Sequence, residues 1–300
     1  MKSLIKEQIA VPGYRTALPY KAMQEAIHEV KSHFERKLAE ALNLVRVAAP
    51  LFVRSGTGVN DNLNGTERPV VFRSASVPDG ELEIVHSLAK WKRWTLGRHG
   101  FGPGEGLFAC MNAIRKDEEL DNLHSLYVDQ WDWEAVIGKE QRNEDTLRRT
   151  VEAIYGAIRE TERYVCERYS HLKPNLPERV EFLTSQELED RYPALSPNDR
   201  ENELARRSGA AFVMQIGGKL RSGIAHDGRS PDYDDWMLNG DLIVWNPVLG
   251  RAFELSSMGI RVDEEALQRQ LKLAGCEERR NLDFHKAVLE RRLPYSIGGG

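Results

Sequence analysis

Cysteine is scarce in this sequence. Its 300 residues hold three, Cys110, Cys166 and Cys276, with neither the close pairs of a zinc site nor the density of a disulfide-stapled secreted domain. Buried, reduced thiols in a cytoplasmic protein are the expectation. No apolar run approaches the ~20 residues needed to cross a bilayer, and Met1-Lys2-Ser3-Leu4-Ile5-Lys6-Glu7 lacks the apolar core of a signal peptide. Positive charge is not in excess. The 42 Lys and Arg stand against 46 Asp and Glu, a net charge of −4, which offers no footprint for nucleic acid. Repeats and low-complexity segments are missing as well. Gly217-Gly218-Lys219 runs on to Leu220 without the Ser/Thr and upstream glycine of a phosphate-cradling P-loop, so a hairpin turn is expected there. The eight histidines show no ligand spacing.

What is present is the balance of a soluble globular protein, 41% hydrophobic and 29% charged. Residues 1–18, with Pro12-Gly13, read as a loose leader, and 19–300 as a single domain. A helix is predicted from Tyr20 to Leu42, where Met23, Ala26, Ile27, Val30, Phe34, Leu38 and Leu42 recur at helical spacing. A strand follows at Leu44–Val47, stopped near Pro50. Further strands are predicted at Glu81–Val85, Leu123–Trp133, Val180–Leu183, Ala210–Ile216, Asp241–Trp245 and Ala252–Ser256. Helices are predicted at His86–Leu96 and Thr146–Tyr169. Another opens at Asp263, an N-cap followed by Glu264 and Glu265. Strands and helices mix without regular alternation, which favours an α+β fold with a largely antiparallel central sheet flanked by helices.

Three segments concentrate chemistry. Along a strand at Leu123–Trp133, side chains alternate faces, so His124, Leu126, Val128, Gln130 and Asp132 share one. An amide and a carboxylate two residues apart both present acceptors to an ammonium group; a solvated strand end has the same spacing. Ser230-Pro231-Asp232-Tyr233-Asp234-Asp235-Trp236, continuing to Leu238-Asn239-Gly240-Asp241, is either an exposed acidic loop or a site for a cation or amine. In Phe253-Glu254-Leu255-Ser256-Ser257-Met258-Gly259-Ile260-Arg261, Glu254 and Arg261 flank what reads as a tight turn of small residues. Asp241 and Glu254 fall in separate predicted strands. Two such carboxylates facing across a sheet suit Mg²⁺, which takes one or two protein carboxylates with phosphate and water; a pair of solvated strand residues remains open too.

Taken together, these strings resemble the ammonia-dependent asparagine synthetase (A-type aspartate–ammonia ligase) family. Val85-His86-Ser87-Leu88-Ala89-Lys90-Trp91-Lys92-Arg93, Gly58-Val59-Asn60-Asp61-Asn62-Leu63 and Tyr127 through Glu134 carry the likeness with the two acidic segments, and it runs from about Lys31 to Gly300. The resemblance implies the catalytic core of a class II aminoacyl-tRNA synthetase, a homodimer formed through the Tyr20–Leu42 helix and the strand before Pro50, and ATP, L-aspartate, ammonia and Mg²⁺ as reactants and cofactor. It also implies residue roles: Arg115 on the α-phosphate and reacting carboxylate; Asp241 and Glu254 on Mg²⁺ and ATP; Ser257, Arg261 and Gly299 on the nucleotide side. Lys92 is expected to meet the substrate α-carboxylate, Gln130, Asp132 and Asp234 its amino group, and Asp61 to act as base for ammonia. Ile297-Gly298-Gly299-Gly300 is similar to the opening of the family's third motif, which goes on to an ATP-holding arginine. A chain ending at Gly300 is therefore expected to be a weak enzyme, less stable than a longer form. The competing readings are an aspartyl- or asparaginyl-tRNA synthetase core, which needs an anticodon-binding domain and a basic surface, and a relative that binds aspartate or ATP without turnover. A glutamine-dependent synthetase needs a cysteine at the mature N-terminus, where this sequence has Lys2.

Overall fold

The computed structural model describes residues 13, 15–63 and 67–300, so most of the predicted leader lies outside the described residues. Helix α1 (Tyr20–Leu42) begins where its periodicity does and ends at Asn43, whose left-handed φ of 53° stops it. Behind it comes β1 (Leu44–Arg46), then a small sheet in the order β2-β4-β3, from β2 (Phe52–Arg54), β3 (Val71–Phe72) and β4 (Leu82–Ile84). Helix α2 (Ala89–His99) starts three residues later than the apolar pattern suggests, because His86 and Ser87 are taken up by contacts with the 60–61 turn.

The main sheet has eight strands in the order β1-β5-β6-β11-β10-β9-β8-β7. They are β5 (Gly106–Ile114), β6 (Tyr127–Val136), β7 (Glu181–Thr184), β8 (Ala210–Met214), β9 (Asp234–Asn246), β10 (Arg251–Arg261) and β11 (Ser296–Gly299), with β1 at the edge. All interior pairings are antiparallel; the two edge pairs, β1–β5 and β7–β8, are parallel. The α+β expectation holds. Two strands differ from it. Residues 123–126 form no strand: Asp121 accepts hydrogen bonds from the backbone of Leu123 and His124 and closes a turn, so His124 and Leu126 lie outside the strand alternation that aligns Gln130 and Asp132. Ser257–Arg261 is no turn but the continuation of β10, because each residue there finds a partner on β9 or β11.

One face of the sheet is covered by α1 and α3 (Glu144–Arg168). Leu38, Trp133, Leu147, Val151, Ile154, Phe212, Leu242, Met258 and Ile260 form the dry core between them. Helix α3 is capped by Asn143, whose side chain accepts from the backbone N–H of Thr146. The opposite face is partly covered by α2, α6 (Glu264–Leu273) and α7 (Asp283–Leu289), through a second cluster of Val262, Leu267, Leu271, Phe284 and Val288. Asp263 caps α6 as expected. At the far edge β7 and β8 pack on α4 (Ser185–Arg191) and α5 (Pro197–Ser208). Gly217–Gly218 is a bend just ahead of a small hairpin closed by Lys219 and Ala225. The open part of the second face, over β6, β11 and β10, is where polar groups collect. No described helix is long and apolar enough to cross a membrane, and all three cysteines are free thiols, partly rather than fully buried.

Candidate active site

A cleft of about 310 Å³ opens over the central strands. Asp61, Lys92, Arg115, Gln130, Asp132, Asp234, Glu254, Ser257, Arg261 and Gly299 all line it. Of the residues singled out in the sequence, Asp241 alone is set back, held behind the cleft wall. Two larger hollows, of about 660 and 600 Å³, are lined mainly by apolar side chains with a few scattered charges, whereas charged and polar groups of both signs dominate the cleft wall. The alternation of β6 puts Gln130, Asp132 and Glu134 on the cleft face and Trp131 and Trp133 on the face of α1. Strand β10 needs more than alternation: a register shift between Glu254 and Ser256 adds one residue, so Glu254 joins Ser257 and Arg261 on one side.

At one end of the cleft Lys92, fully buried, donates to Asp132 and to the carbonyl of Gly299 at 2.9 Å. Burial pulls the Lys92 ammonium below its ordinary pKa. Asp132 gives Oδ1 to Lys92, while its Oδ2 is buried with no partner. Beneath this pair Arg261 holds Glu134 through Nε (3.0 Å to each oxygen) and Nη2 (2.7 Å), and holds Asp234 through Nη1. Glu134 also accepts from Ser296 at 2.7 Å. Arg261, expected on the nucleotide side, lines the cleft and is at the same time the buried tie between β6, β9 and β10. Asp234, expected to meet a substrate amine, already gives Oδ1 to this arginine, and burial raises its carboxyl above the usual range. Gly298 is required here, because a Cβ at that position would collide with Glu134 and Arg261.

At the other end, Asp241 lies opposite Ser257 on the neighbouring strand, while Glu254 lies opposite Ile243. The expected carboxylate pair is thus diagonal. Arg229 bridges the strands, donating to both oxygens of Asp241 (2.6 and 2.7 Å) and to the hydroxyl of Ser257 (2.6 Å). Glu254 opens into the cleft yet is closely surrounded by protein. The negative charge of Asp241, and then burial, push its carboxyl up to about 8. Arg115, just past the end of β5, donates to the carbonyl of His86 at 3.5 Å and keeps Nε buried without a partner.

Asp61 forms part of the wall between the two ends. It accepts from Ser87 and from the backbone of Leu63, each at 3.1 Å, and burial raises its carboxyl above the usual range despite the nearby Lys90. Asp232 sits behind it, ringed by Lys90 (3.2 Å), His285 (2.9 Å), Arg279 (3.2 Å) and Ser230 (2.8 Å); burial opposes its charge, but Lys90, the hydrogen bond to His285 and Arg279 together hold it well below the usual carboxylate range. The acidic run 230–235 is therefore buried structure, not an exposed loop.

Residues 21–300 match the family described as Aspartate-ammonia ligase. The chain belongs to the aspartate–ammonia ligase family. Curated members with that name include one from Ruminiclostridium cellulolyticum, 56% identical over 300 residues, all of this chain and 88% of that protein. Another, from Clostridium tetani, is 57% identical over 301 residues, with the same shares covered. Among solved structures, asparaginyl-tRNA synthetase from Pyrococcus horikoshii with asparaginyl-adenylate superposes with a TM-score of 0.63 at 14% identity, covering 92% of this chain and 63% of that one. Aspartyl-tRNA synthetase from Entamoeba histolytica gives 0.60 at 13%, covering 96% and 59%. The chain spans less than two thirds of those synthetases, and the likeness shows the fold alone: this chain is folded like the core of a class II synthetase.

Two groups in this ligase-family cleft escaped the sequence reading. Arg229 stands directly before the acidic string, where a lone cation beside Asp227 and Asp232 is the signal, and Glu134 continues the strand alternation of Gln130 and Asp132. Among the described residues no three His, Cys, Asp or Glu side chains group as a metal cage. The donor set of Asp241 and Glu254 nonetheless fits Mg²⁺ shared with phosphates, which asks for only one or two protein carboxylates.

Proposed function

We propose that this chain, as a member of its family, uses ATP to join ammonia to the β-carboxylate of L-aspartate. In the first step the β-carboxylate oxygen attacks the α-phosphorus and pyrophosphate leaves. In the second, ammonia attacks the acyl carbon of the aspartyl-adenylate, loses a proton, and AMP leaves with the oxygen, giving L-asparagine. The observation that carries this reading is that buried, unpartnered polar atoms gather on residues of one cleft: Oδ2 of Asp132, an acceptor, and Nε of Arg115 and of Arg229, donors. Lys92 and Asp132, bound to each other, form the internal ion pair that an amino-acid zwitterion can replace group for group. Lys92 takes the α-carboxylate, and Asp132, with Gln130 and Asp234, takes the α-ammonium. Arg115 neutralises charge at the α-phosphate and the attacking carboxylate.

Asp61, with its raised pKa, suits the base that accepts a proton from the incoming ammonium. Ser257 and Gly299 flank the nucleotide, and Arg261 acts by fixing Glu134 and Asp234 beneath it. Asp241 and Glu254 would hold Mg²⁺, which when bound supplies charge neutralisation for the departing pyrophosphate. The reading includes a cytoplasmic setting, in keeping with the free thiols, and a homodimer. The test is product analysis with aspartate, ATP and ammonium. AMP and pyrophosphate are expected with asparagine, and glutamine is expected to be inert as nitrogen donor; ADP and phosphate as products would overturn the adenylate route.

A further inference from the structure

Arg229 has no part in the reaction as set out above, yet it is the cation placed against the carboxylate pair. Its side chain is nine-tenths buried, with 10% exposed. Nη2 is spent on both oxygens of Asp241 and Nη1 on Ser257, while Nε is buried in the cleft with no partner. The charge of Arg229 also acts on Glu254, where Asp241, Glu201 and Asp227 all press in the opposite sense. Moreover, Arg229 belongs to the segment between β8 and β9, not to a sheet strand. It can release Asp241 without breaking strand pairing.

We infer that Arg229 is a placeholder cation: it neutralises Asp241 while no nucleotide is bound, and yields that carboxylate to a divalent ion only when the phosphates of ATP offer its guanidinium another anion. The inference rests on the reading that Asp241 and Glu254 take the nucleotide's divalent cation. A guanidinium pairs with carboxylate and with phosphate in the same forked geometry. A divalent ion arriving alone must displace Arg229 and strand a buried charge, which is costly. An ion arriving with phosphates strands nothing, since the guanidinium changes partners. Metal and nucleotide therefore favour one another's binding, and by linkage the coupling is reciprocal. Free metal is kept off the site, and the metal–nucleotide complex is selected.

The experiment uses the full 300-residue chain, Mn²⁺ as probe and a non-hydrolysable ATP analogue, with free Mn²⁺ counted by electron paramagnetic resonance and metal held by the analogue alone subtracted. Wild-type protein is expected to take up Mn²⁺ weakly, and at least about fivefold more tightly with saturating analogue, within the usual range of such couplings. Arg229→Gln is expected to bind Mn²⁺ alone about tenfold more tightly than wild type and to lose the coupling. A general structural role for Arg229 would weaken the site, not tighten it. Equal Mn²⁺ affinity in wild type and Arg229→Gln, both losing it on Glu254→Gln, overturns the placeholder role and leaves the metal reading standing. Uptake that survives in Arg229→Gln with Glu254→Gln overturns the metal reading itself, and the inference with it. Should Arg229→Gln not fold, Ser257→Ala decides. It loosens Arg229 without touching either carboxylate, so a rise in Mn²⁺ affinity supports the inference and an unchanged affinity overturns it.

Discussion

Several charged side chains of the cleft, Asp61, Lys92, Asp132, Asp234 and Arg261, are buried, and single substitutions there report on pairing before they report on catalysis. Lys92 and Asp132 are the clearest case, since both are buried and each is the other's counter-ion. Asp132→Asn leaves a buried ammonium without its carboxylate, a loss typically worth about 3–5 kcal/mol. Joint replacement by Lys92→Met with Asp132→Leu should recover most of it, because neither charge is then stranded. Urea denaturation of the two single variants and the double variant checks this; a double variant no more stable than Asp132→Asn would show that the pair is not what holds the region. Asp61 gives a pH-dependent counterpart. Its folded pKa is raised above the usual 3.8 by burial, so the unfolded chain releases this proton at lower pH than the folded one. The stability tied to the protonated carboxyl is complete below the unfolded pKa and is lost as pH rises through the folded one. Asp61→Asn cannot suffer that loss. Its melting temperature relative to wild type should therefore climb from pH 3.5 towards neutrality, and a difference that stays flat across that span would remove the case for a raised pKa.

Elements differ in how far the sequence announced them. The long amphipathic helices α1 and α3 were legible to within two residues, since a 3.6-residue apolar period over more than twenty positions has no competing explanation. Strand β5 was missed. Gly106–Ile114 is buried on both faces over most of its length, so it shows an apolar run with no alternation to count. Helix α5 had signals that went unused: Ser196 as N-cap, Pro197 in the first turn and Gly209 at the end. Rare strings single out candidate residues that the fold gathers at one cleft, but their geometry is not legible in the sequence: nothing in the spacing of Glu254 and Ser257 reveals a bulge. Strand β11 is a strand by tertiary demand, three glycines near its end running between β6 and β10. Gly298→Ala should test that demand. Its methyl would meet Glu134 and Arg261, and overpacking of this kind typically costs about 1–3 kcal/mol. Gly218→Ala, with open space around it and no positive φ, is the control and should stay near wild type in the same urea titration. Equal midpoints for both variants would mean that the strand can shift to admit a side chain.

For the whole molecule the unsettled surface is the edge of the main sheet at β1, with the small sheet beside it. Val45 on β1 is 61% exposed, and Leu51, Phe52, Val71 and Phe72 follow at 51%, 45%, 45% and 37%. The rings of Phe52 and Phe72 meet edge to face with centroids 5.2 Å apart, so the residues of the small sheet share one surface. Exposed apolar groups gathered in this way mark an interaction surface, and an edge strand paired on one side only is a template that proteins usually cover. A two-fold copy placed on this region covers strand edge and apolar patch at once, which is the economy of an isologous interface. The expected species is thus a dimer, twice the 34.2 kDa of the chain. Phe52→Asp together with Val45→Asp should release monomers, since both side chains are exposed and each introduced charge would be buried against its own copy. Sedimentation velocity at micromolar concentration separates the outcomes. Wild type running at 34.2 kDa would rule out a dimer. A charged variant that stays dimeric would place the interface on another face of the molecule.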